Sequence, residues 1–288
     1  MVASIKRVAV VGGTHGGELT GVFLVKKFQQ SPQMIQRHGI ETITLIANEK
    51  AIAMGKRYID TDLNRCFKRE DLENPQLVNH EQLLAKKIAR RIEQKKIDLI
   101  IDLHSTTANM GLTVILHSDR PYLLKLAAYL TKINSKVRIL QHTLNKETSY
   151  LIGLVELGIT IEVGAIANGL LDAKLFQETE ELIYAILDYL EADRKGQPLS
   201  VPPHLTKYTA IGTVDYPRNE QGEIRAMIHP QLQFQDYQPL NPGKPIFITF
   251  DGEEIFYQGD ETVYPVFINE AAYYEKGTAM CLTSLVTS

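Results

Sequence analysis

Val8-Ala-Val-Val-Gly-Gly-Thr-His-Gly-Gly-Glu18 is the stretch around which the rest of the chain is organised. Its apolar start, Val8 to Val11, is typical of a buried parallel strand, and the glycines that follow permit a tight turn. We expect a helix to begin close to Glu18. In such a turn the imidazole of His15 and the carboxylate of Glu18 can converge on one cation, and zinc accepts both donor types.

Two other interpretations of this turn stay open: a nucleotide-binding glycine loop, and a plain strand-to-helix turn that contains polar residues. The sequence has neither GxGxxG nor GxxxxGK[ST] here, so the phosphate interpretation lacks its spacing and its lysine. One pair of ligands cannot hold a metal alone. Further ligands must therefore come from other strands.

Composition limits the class of partner. The chain has 288 residues, 23% of them charged, and a formal net charge of -3, so we expect one large or two modest globular domains. This charge provides no electrostatic case for nucleic acid or an anionic membrane, and a small-molecule partner is expected. Cys66 and Cys281 form neither a disulfide framework nor a CxxC pair. With no signal segment and no apolar run of ~18 residues, a cytoplasmic protein is expected.

Strands and helices alternate through the first part of the chain, which predicts an α/β fold with a mixed, mostly parallel sheet flanked by helices over residues 1–196. Strands are expected at 41–47, 97–103, 111–118, 137–141 and 159–164, and helices at 18–30, 80–94, 121–133 and 173–192. The residues expected to face inward on the first two helices are Leu19, Val22, Phe23 and Leu24, then Leu83, Leu84, Ile88 and Ile92.

Helical periodicity ends near residue 196, and a smaller β-rich C-terminal domain is predicted over residues 197–288. Short apolar runs at 209–216, 224–228, 245–250 and 262–267 alternate there with Gly and Pro turns. The tail at 269–276 carries paired tyrosines. Two interpretations of this tail stay open: a return toward the active-site cleft, or packing between the domains.

Residues 48–67 combine weak periodicity with dense charge. Arg57, Asp60, Asp62, Asn64 and Arg65 lie within nine positions. A solvated loop with local ion pairs is one interpretation. Because the guanidinium fork of arginine binds carboxylates well, we favour a loop that binds an anionic substrate.

Two later strands carry candidate functional residues. The strand at 97–103 delivers His104 at its carboxyl end, on the edge of the sheet where His15 is expected, and Asp102 could orient that imidazole. The strand at 159–164 is apolar except for Glu162. A buried carboxylate requires a partner such as water on a metal, although pairing with a core arginine is an alternative.

Five motifs together resemble the aspartoacylase and succinylglutamate desuccinylase family, which is related to zinc carboxypeptidases. They are His15-x-x-Glu18, Asp102-Leu-His-Ser-Thr-Thr107, Arg57-Tyr-Ile-Asp-Thr-Asp-Leu-Asn-Arg65, Gly158-Ile-Thr-Ile-Glu-Val-Gly164 and Val263-Tyr-Pro-Val-Phe-Ile-Asn-Glu-Ala-Ala-Tyr-Tyr274. They occur in matching order over nearly the whole chain. The resemblance implies a zinc-carboxypeptidase-like fold, a C-terminal domain that caps the entrance, and a homodimer.

The resemblance also implies an activity, in which water on one zinc per chain attacks an N-acyl amide, with N-acetyl-L-aspartate as the favoured substrate. The residues carried over are zinc ligands His15, Glu18 and His104; general base Glu162; Arg57, polarising the scissile carbonyl; Asn64 and Arg65, holding a substrate carboxylate; and Tyr273, near the substrate.

One position departs from the family pattern. The family has a further substrate-binding arginine about ten residues before the catalytic glutamate, where this chain has Ile152. Recognition of a side-chain carboxylate is expected to weaken, unless Lys146 replaces the arginine. Other substrates of an N-acyl amino acid deacylase, a metallocarboxypeptidase, and a non-catalytic zinc-dependent binding protein remain the alternative functions.

Overall fold

The computed structural model describes residues 5–142, 149–197 and 199–287. Its strands are β1 (Arg7–Gly12), β2 (Glu41–Ile46), β3 (Leu99–Ser105), β4 (Gly111–Leu116), β5 (Val137–Gln141), β6 (Leu157–Gly164), β7 (Thr206–Val214), β8 (Ala226–Ile228), β9 (Pro245–Thr249), β10 (Glu254–Phe256) and β11 (Met280–Thr287). Its α-helices are α1 (Leu19–Gln30), α2 (Glu49–Ala53), α3 (Arg69–Glu73), α4 (His80–Gln94), α5 (Pro121–Ile133) and α6 (Ala173–Arg194).

An eight-stranded sheet in the order β11-β7-β5-β4-β6-β3-β1-β2 forms the centre of the molecule. Strand pairs are parallel except β4 with β6 and β7 with β11. The predicted mixed, mostly parallel sheet with flanking helices is therefore confirmed. A three-stranded antiparallel sheet, β10-β9-β8, forms the β-rich C-terminal part together with extended loops.

Alternate residues of the central strands enter different apolar clusters, because successive side chains of a strand point to opposite faces. Val8 and Val10 of β1 pack in one cluster with residues of α1, α5 and α6. Ala9 and Val11 pack in another cluster with residues of α4. The sheet is thus covered on both faces, as its apolar strands require.

The predicted inward faces of two helices need correction. Phe23 is 41% exposed and Leu83 is 51% exposed. Helix α1 instead buries Val25 and Phe28 besides Val22 and Leu24, and α4 buries Ala85 with Ile88 and Ile92. The buried stripe of each helix is therefore shifted from the one that the apolar pattern predicted.

The predicted strand at 262–267 is wrong. Val263 bridges Leu240 and Val266 bridges Cys281, so the segment changes partners instead of forming one ladder. Strands β10 and β11 were not predicted. Strand β7 begins at Thr206, earlier than expected, and with β11 it extends the main sheet.

Within the described ranges, no helix combines the length and the apolar character needed to cross a membrane. The site is positioned by the centre of the sheet. Strands β1, β3 and β6 are parallel neighbours, so their carboxyl ends lie along one edge.

Candidate active site

His15, Glu18 and His104 converge at that edge. Nδ1 of His15 lies 2.7 Å from Oε1 of Glu18, and Nδ1 of His104 lies 2.9 Å from Oε2 of the same carboxylate. All three side chains are buried, and one ligand atom from each lies within 4.8 Å of the others. The strand-to-helix turn after β1 and the end of β3 thus bring the three predicted ligands together.

A carboxylate contacts the other nitrogen of each imidazole. Nε2 of His15 lies 2.9 Å from Oδ1 of Asp62, and Nε2 of His104 lies 2.7 Å from Oδ2 of Asp102. Thr14 donates to the second oxygen of Asp102. Such carboxylate partners fix ring orientation and tautomer in metal sites. Asp102 thus makes the contact with His104 that its predicted orienting role requires. Asp62 makes the same kind of contact with His15.

The donor set fits zinc. Two nitrogens bound to one zinc at about 2.0–2.1 Å in tetrahedral geometry lie about 3.3 Å apart. The facing Nδ1 atoms of His15 and His104 are 3.2 Å apart. Three protein ligands leave a fourth position open, as in catalytic zinc sites.

Electrostatics favours the charged form of the Glu18 carboxylate. Burial alone would raise its pKa, but His15 and His104 hold it well below the usual range. Burial likewise opposes protonation of His104, while Asp102 and Glu18 raise the pKa of this imidazole well above its usual value. Glu18 and Asp102 thus favour positive charge at His104, and a bound cation could supply that charge in place of the imidazole proton.

Glu162 lies beside this cluster on β6. It is in register with His104 on one side and with Thr113 of β4 on the other. The side chain is buried, and burial raises the pKa of its carboxyl well above the usual value, with Glu18 and Glu270 acting in the same direction. A raised pKa suits a group that must accept and return a proton near neutral pH.

Arg57 reaches the same cluster from the loop after α2. Its Nη1 donates to Oε1 of Glu18 at 2.9 Å, and Nη2 lies 3.6 Å from Oδ2 of Asp62. Its Nε is buried and has no hydrogen-bond partner among the described residues. A donor is thus available beside the proposed metal.

The remaining predicted site residues, Asn64, Arg65 and Tyr273, line the same pocket. The side-chain oxygen of Asn64 accepts a hydrogen bond from the backbone of Leu151 at 2.9 Å, so this amide is fixed in place. The guanidinium of Arg65 lies over the ring of Tyr150, 4.7 Å from its centroid. Tyr273 comes from the C-terminal tail.

The pocket is open to solvent. Besides the predicted residues, it is lined by Ser105, Thr106, Ile115, His117, His142, Tyr150, Thr160, Phe267, Glu270 and Ala272. The tail at 269–276 therefore returns to the cleft, and through Glu270 and Lys276 it also packs against the first part of the chain, so both interpretations left open by the sequence apply. His117, His142 and Tyr150 were missed. His117 and His142 directly follow β4 and β5, which is their sequence signal, whereas Tyr150 lies seven residues before Leu157, the first residue of β6, and has no such signal.

Ile152 does not line the pocket. It is 3% exposed and packs in the cluster that contains Leu63 and Leu151. Its carbonyl oxygen would be 2.5 Å from a Cβ added at Gly158, so the two segments are in close contact. An arginine introduced at Ile152 would start inside the core. Lys146, the suggested replacement, lies outside the described residues.

Two buried carboxylates hold the site loops, and both were missed. Glu81 of α4 accepts hydrogen bonds from the backbone N–H groups of residues 59, 60 and 61, at 2.7, 2.9 and 3.2 Å. Glu270 accepts from the backbone of Thr107 at 2.8 Å and from the hydroxyl of Thr106. Their partners are remote in sequence, so only the tertiary structure reveals them.

Comparison with known proteins places these features in a family. Residues 4–190 match the succinylglutamate desuccinylase/aspartoacylase catalytic domain, and residues 203–285 match the AstE/AspA barrel-sandwich hybrid domain. A protein named probable aspartoacylase from Nostoc sp. is 56% identical over 97% of this chain and 96% of its own length. The human N-acyl-aromatic-L-amino acid amidohydrolase (carboxylate-forming) is 36% identical over 98% of this chain and 92% of its own length.

A solved structure agrees with this. The crystal structure of murine aminoacylase 3 superposes with a TM-score of 0.94 at 36% identity and covers 99% of this chain and 97% of that one. The relatives are hydrolases of amide bonds by name, and the match extends over both parts of the chain. The chain belongs to the succinylglutamate desuccinylase/aspartoacylase family and is a hydrolase that acts on N-acyl amino acids.

Proposed function

We propose that the protein is a zinc-dependent amidohydrolase in which His15, Glu18 and His104 hold one zinc per chain and Glu162 is the general base. The observation that carries the proposal is the convergence of the three ligand atoms within 4.8 Å, with Glu162 in register beside His104. When bound, the zinc would act as a Lewis acid and lower the pKa of water toward ~7.

Two side chains of the protein act on the proton of the attacking water and on the negative charge that develops at the carbonyl oxygen. The carboxylate of Glu162 takes a proton from the attacking water and passes it to the nitrogen of the leaving amine. Arg57 lines the pocket and donates to Glu18, and this position supports a role in binding the scissile carbonyl oxygen as negative charge develops there. Removal of such a donor typically costs ~3–4 kcal/mol of transition-state stabilisation.

Substrate binding is assigned to the other predicted residues. Arg65 and Asn64 lie in the pocket wall and are proposed to hold the carboxylate of the amino acid. Tyr273 lines the same pocket from the C-terminal side. N-acetyl-L-aspartate is the first substrate to test, because several relatives are named aspartoacylase or probable aspartoacylase.

The assay measures hydrolysis of N-acetyl-L-aspartate, a panel of other N-acetyl-L-amino acids, and dipeptides by the purified protein. Release of acetate from an N-acetyl amino acid is the expected result. Cleavage of dipeptides alone would identify a metallocarboxypeptidase, and binding of zinc without any hydrolysis would identify a non-catalytic binding protein.

The organisation of the whole protein is part of the same proposal. We place the domain boundary at residues 196 and 197, with residues 197–288 capping the entrance. Pocket-lining side chains at Phe267, Glu270 and Tyr273 support the capping role. A homodimer is proposed from the family resemblance and can be tested by light scattering, and a cytoplasmic location is proposed from the sequence features described above.

A further inference from the structure

The pocket extends along one face of β4 and β6. Glu162 is in register with Thr113, and Thr160 with Ile115. Because alternate residues share a face, Glu162, Thr160, Ile115 and His117 follow one another along the pocket. His117 lies four residues beyond Thr113, which corresponds to about 13 Å of strand. One end of the pocket thus carries the proposed metal and base, and His117 marks the other.

Three rings close this far end, and we call them the ring wall: His117, His142 and Tyr150. The centroid of His117 is 4.9 Å from that of Tyr150 and 5.7 Å from that of His142. His142 and Tyr150 are 6.5 Å apart, edge to face. His142 is placed by strand pairing, since its backbone N–H donates to the carbonyl of Leu116. Such spacings are those of interacting aromatic side chains.

Charge at the ring wall is low. Burial lowers the pKa of His117 to about 3, assisted by His142 and Arg65, and burial also lowers the pKa of His142. Both imidazoles are therefore neutral at pH 7. Among the described residues that line this end, Arg65 is the one with a permanent positive charge. Its guanidinium lies over the ring of Tyr150.

If Arg65 binds the carboxylate of the amino acid backbone, no described cation at this end pairs with a second carboxylate. A carboxylate placed among neutral rings would lose its hydration without gaining an ion pair. An uncharged ring would stack on the same surfaces.

We propose that the ring wall is the subsite for the substrate's side chain and that it selects an uncharged aromatic ring over an acidic group. This inference rests on the proposed deacylase function and specifies its substrate as an N-acyl aromatic amino acid. His117 is the residue that determines the choice, because it is the ring nearest to each of the other two and it continues the face of β4 that lines the pocket.

The test compares kcat/KM for N-acetyl-L-phenylalanine and N-acetyl-L-aspartate. The wild type should prefer the phenylalanine derivative by about tenfold or more. His117→Arg should move this ratio by about tenfold or more toward N-acetyl-L-aspartate, whereas His117→Phe, which keeps a ring, should leave the aromatic preference in place. His38→Arg is the matched control, because His38 is exposed near the start of β2 and its replacement adds the same charge away from the pocket.

A wild-type preference for N-acetyl-L-aspartate would overturn the proposal, and loss of that preference in Lys146→Ala would identify the cation responsible. Binding of both compounds to Glu162→Gln, measured by calorimetry, separates the two levels of inference. Tighter binding of the phenylalanine derivative without hydrolysis by the wild type would refute the deacylase function and support the ring wall. Equal binding of the two compounds would refute the ring wall.

Discussion

Glu162 is a single carboxylate in a strand that is otherwise apolar, and its environment separates its role from that of Glu18. Glu18 is held ionised by two imidazoles, whereas burial raises the pKa of Glu162. Two carboxyl groups with opposite shifts are suited to different tasks, one to bind a cation and one to carry a proton.

Glu162→Gln should retain zinc and fold normally while kcat falls by about 10²–10⁴-fold, because the amide cannot accept the proton. Acetate release and metal analysis on the same preparation measure both quantities. Glu156→Gln, an exposed carboxylate just before β6, is the matched control and should keep wild-type turnover. Near-normal kcat in Glu162→Gln would show that the base is another group.

At the scale of elements, the loop between α2 and α3 depends on Glu81. This carboxylate is fully buried. It accepts hydrogen bonds from three consecutive backbone N–H groups and from the side-chain amide of Asn48. Burial alone would raise its pKa, but these hydrogen bonds lower it. The anchored residues 59–61 lie between Arg57 and Asp62, so Glu81 positions both.

Glu81→Gln should lower kcat/KM by about 10–100-fold, because a shift of about 1 Å in a catalytic group has an effect of that size. The loss should appear mainly in kcat, through Arg57. Asp98→Asn is the control, since Asp98 also accepts backbone N–H groups, from Lys6 and Arg7, at the opposite end of the strands. The Asp98→Asn variant should lose a comparable amount of stability while its kcat stays unchanged. Equal kinetic losses in both variants would reduce Glu81 to a purely structural role.

The sequence predicted elements whose signal is local. The bounds of α4, α5 and β5 agree with the prediction, because amphipathic periodicity and Pro121 define them. The convergence of His15, Glu18 and His104 was predictable because parallel strands present their carboxyl ends together. The irregular pairing of residues 262–267 was not predictable, and neither were the loop contacts of Glu81 and Glu270. Tertiary contacts determine the partners of all of them. The position of Ile152 in the core, away from the pocket lining, was equally hidden in the sequence.

At the scale of the molecule, the C-terminal part is attached to the sheet by buried carboxylates. Glu270 contacts the polar strip after β3, and Lys276 donates to Asp62 at 2.9 Å. Asp236 accepts hydrogen bonds from the backbone of Asn109 and of Ile268, both at 3.1 Å. The C-terminal part and His15, one of the proposed metal ligands, therefore share Asp62 as a partner.

Asp236 predicts a pH dependence of stability. Burial raises its pKa to about 6, against the backbone hydrogen bonds that lower it. The folded state therefore binds this proton more tightly than the unfolded state, and the contribution of Asp236 to stability decreases as pH rises from about 4 to 6.

The free energy of unfolding of the wild type relative to Asp236→Asn should decrease by roughly 1 kcal/mol between pH 5 and pH 7.5. Urea titrations of both proteins at the two pH values measure the difference, and the subtraction cancels the titration of all other groups. A difference that stays constant between the two pH values would contradict the raised pKa and would mean that the backbone donors keep Asp236 ionised.

Zinc content measured together with activity tests the central claim most directly. The protein is stripped with a chelator and titrated with zinc while acetate release from its best N-acetyl amino acid is followed. Activity should rise linearly and level off at one zinc per chain, and His15→Ala or His104→Ala should bind no zinc and stay inactive throughout. Full activity in the stripped protein, or wild-type zinc content in either variant, would contradict the assignment of these residues.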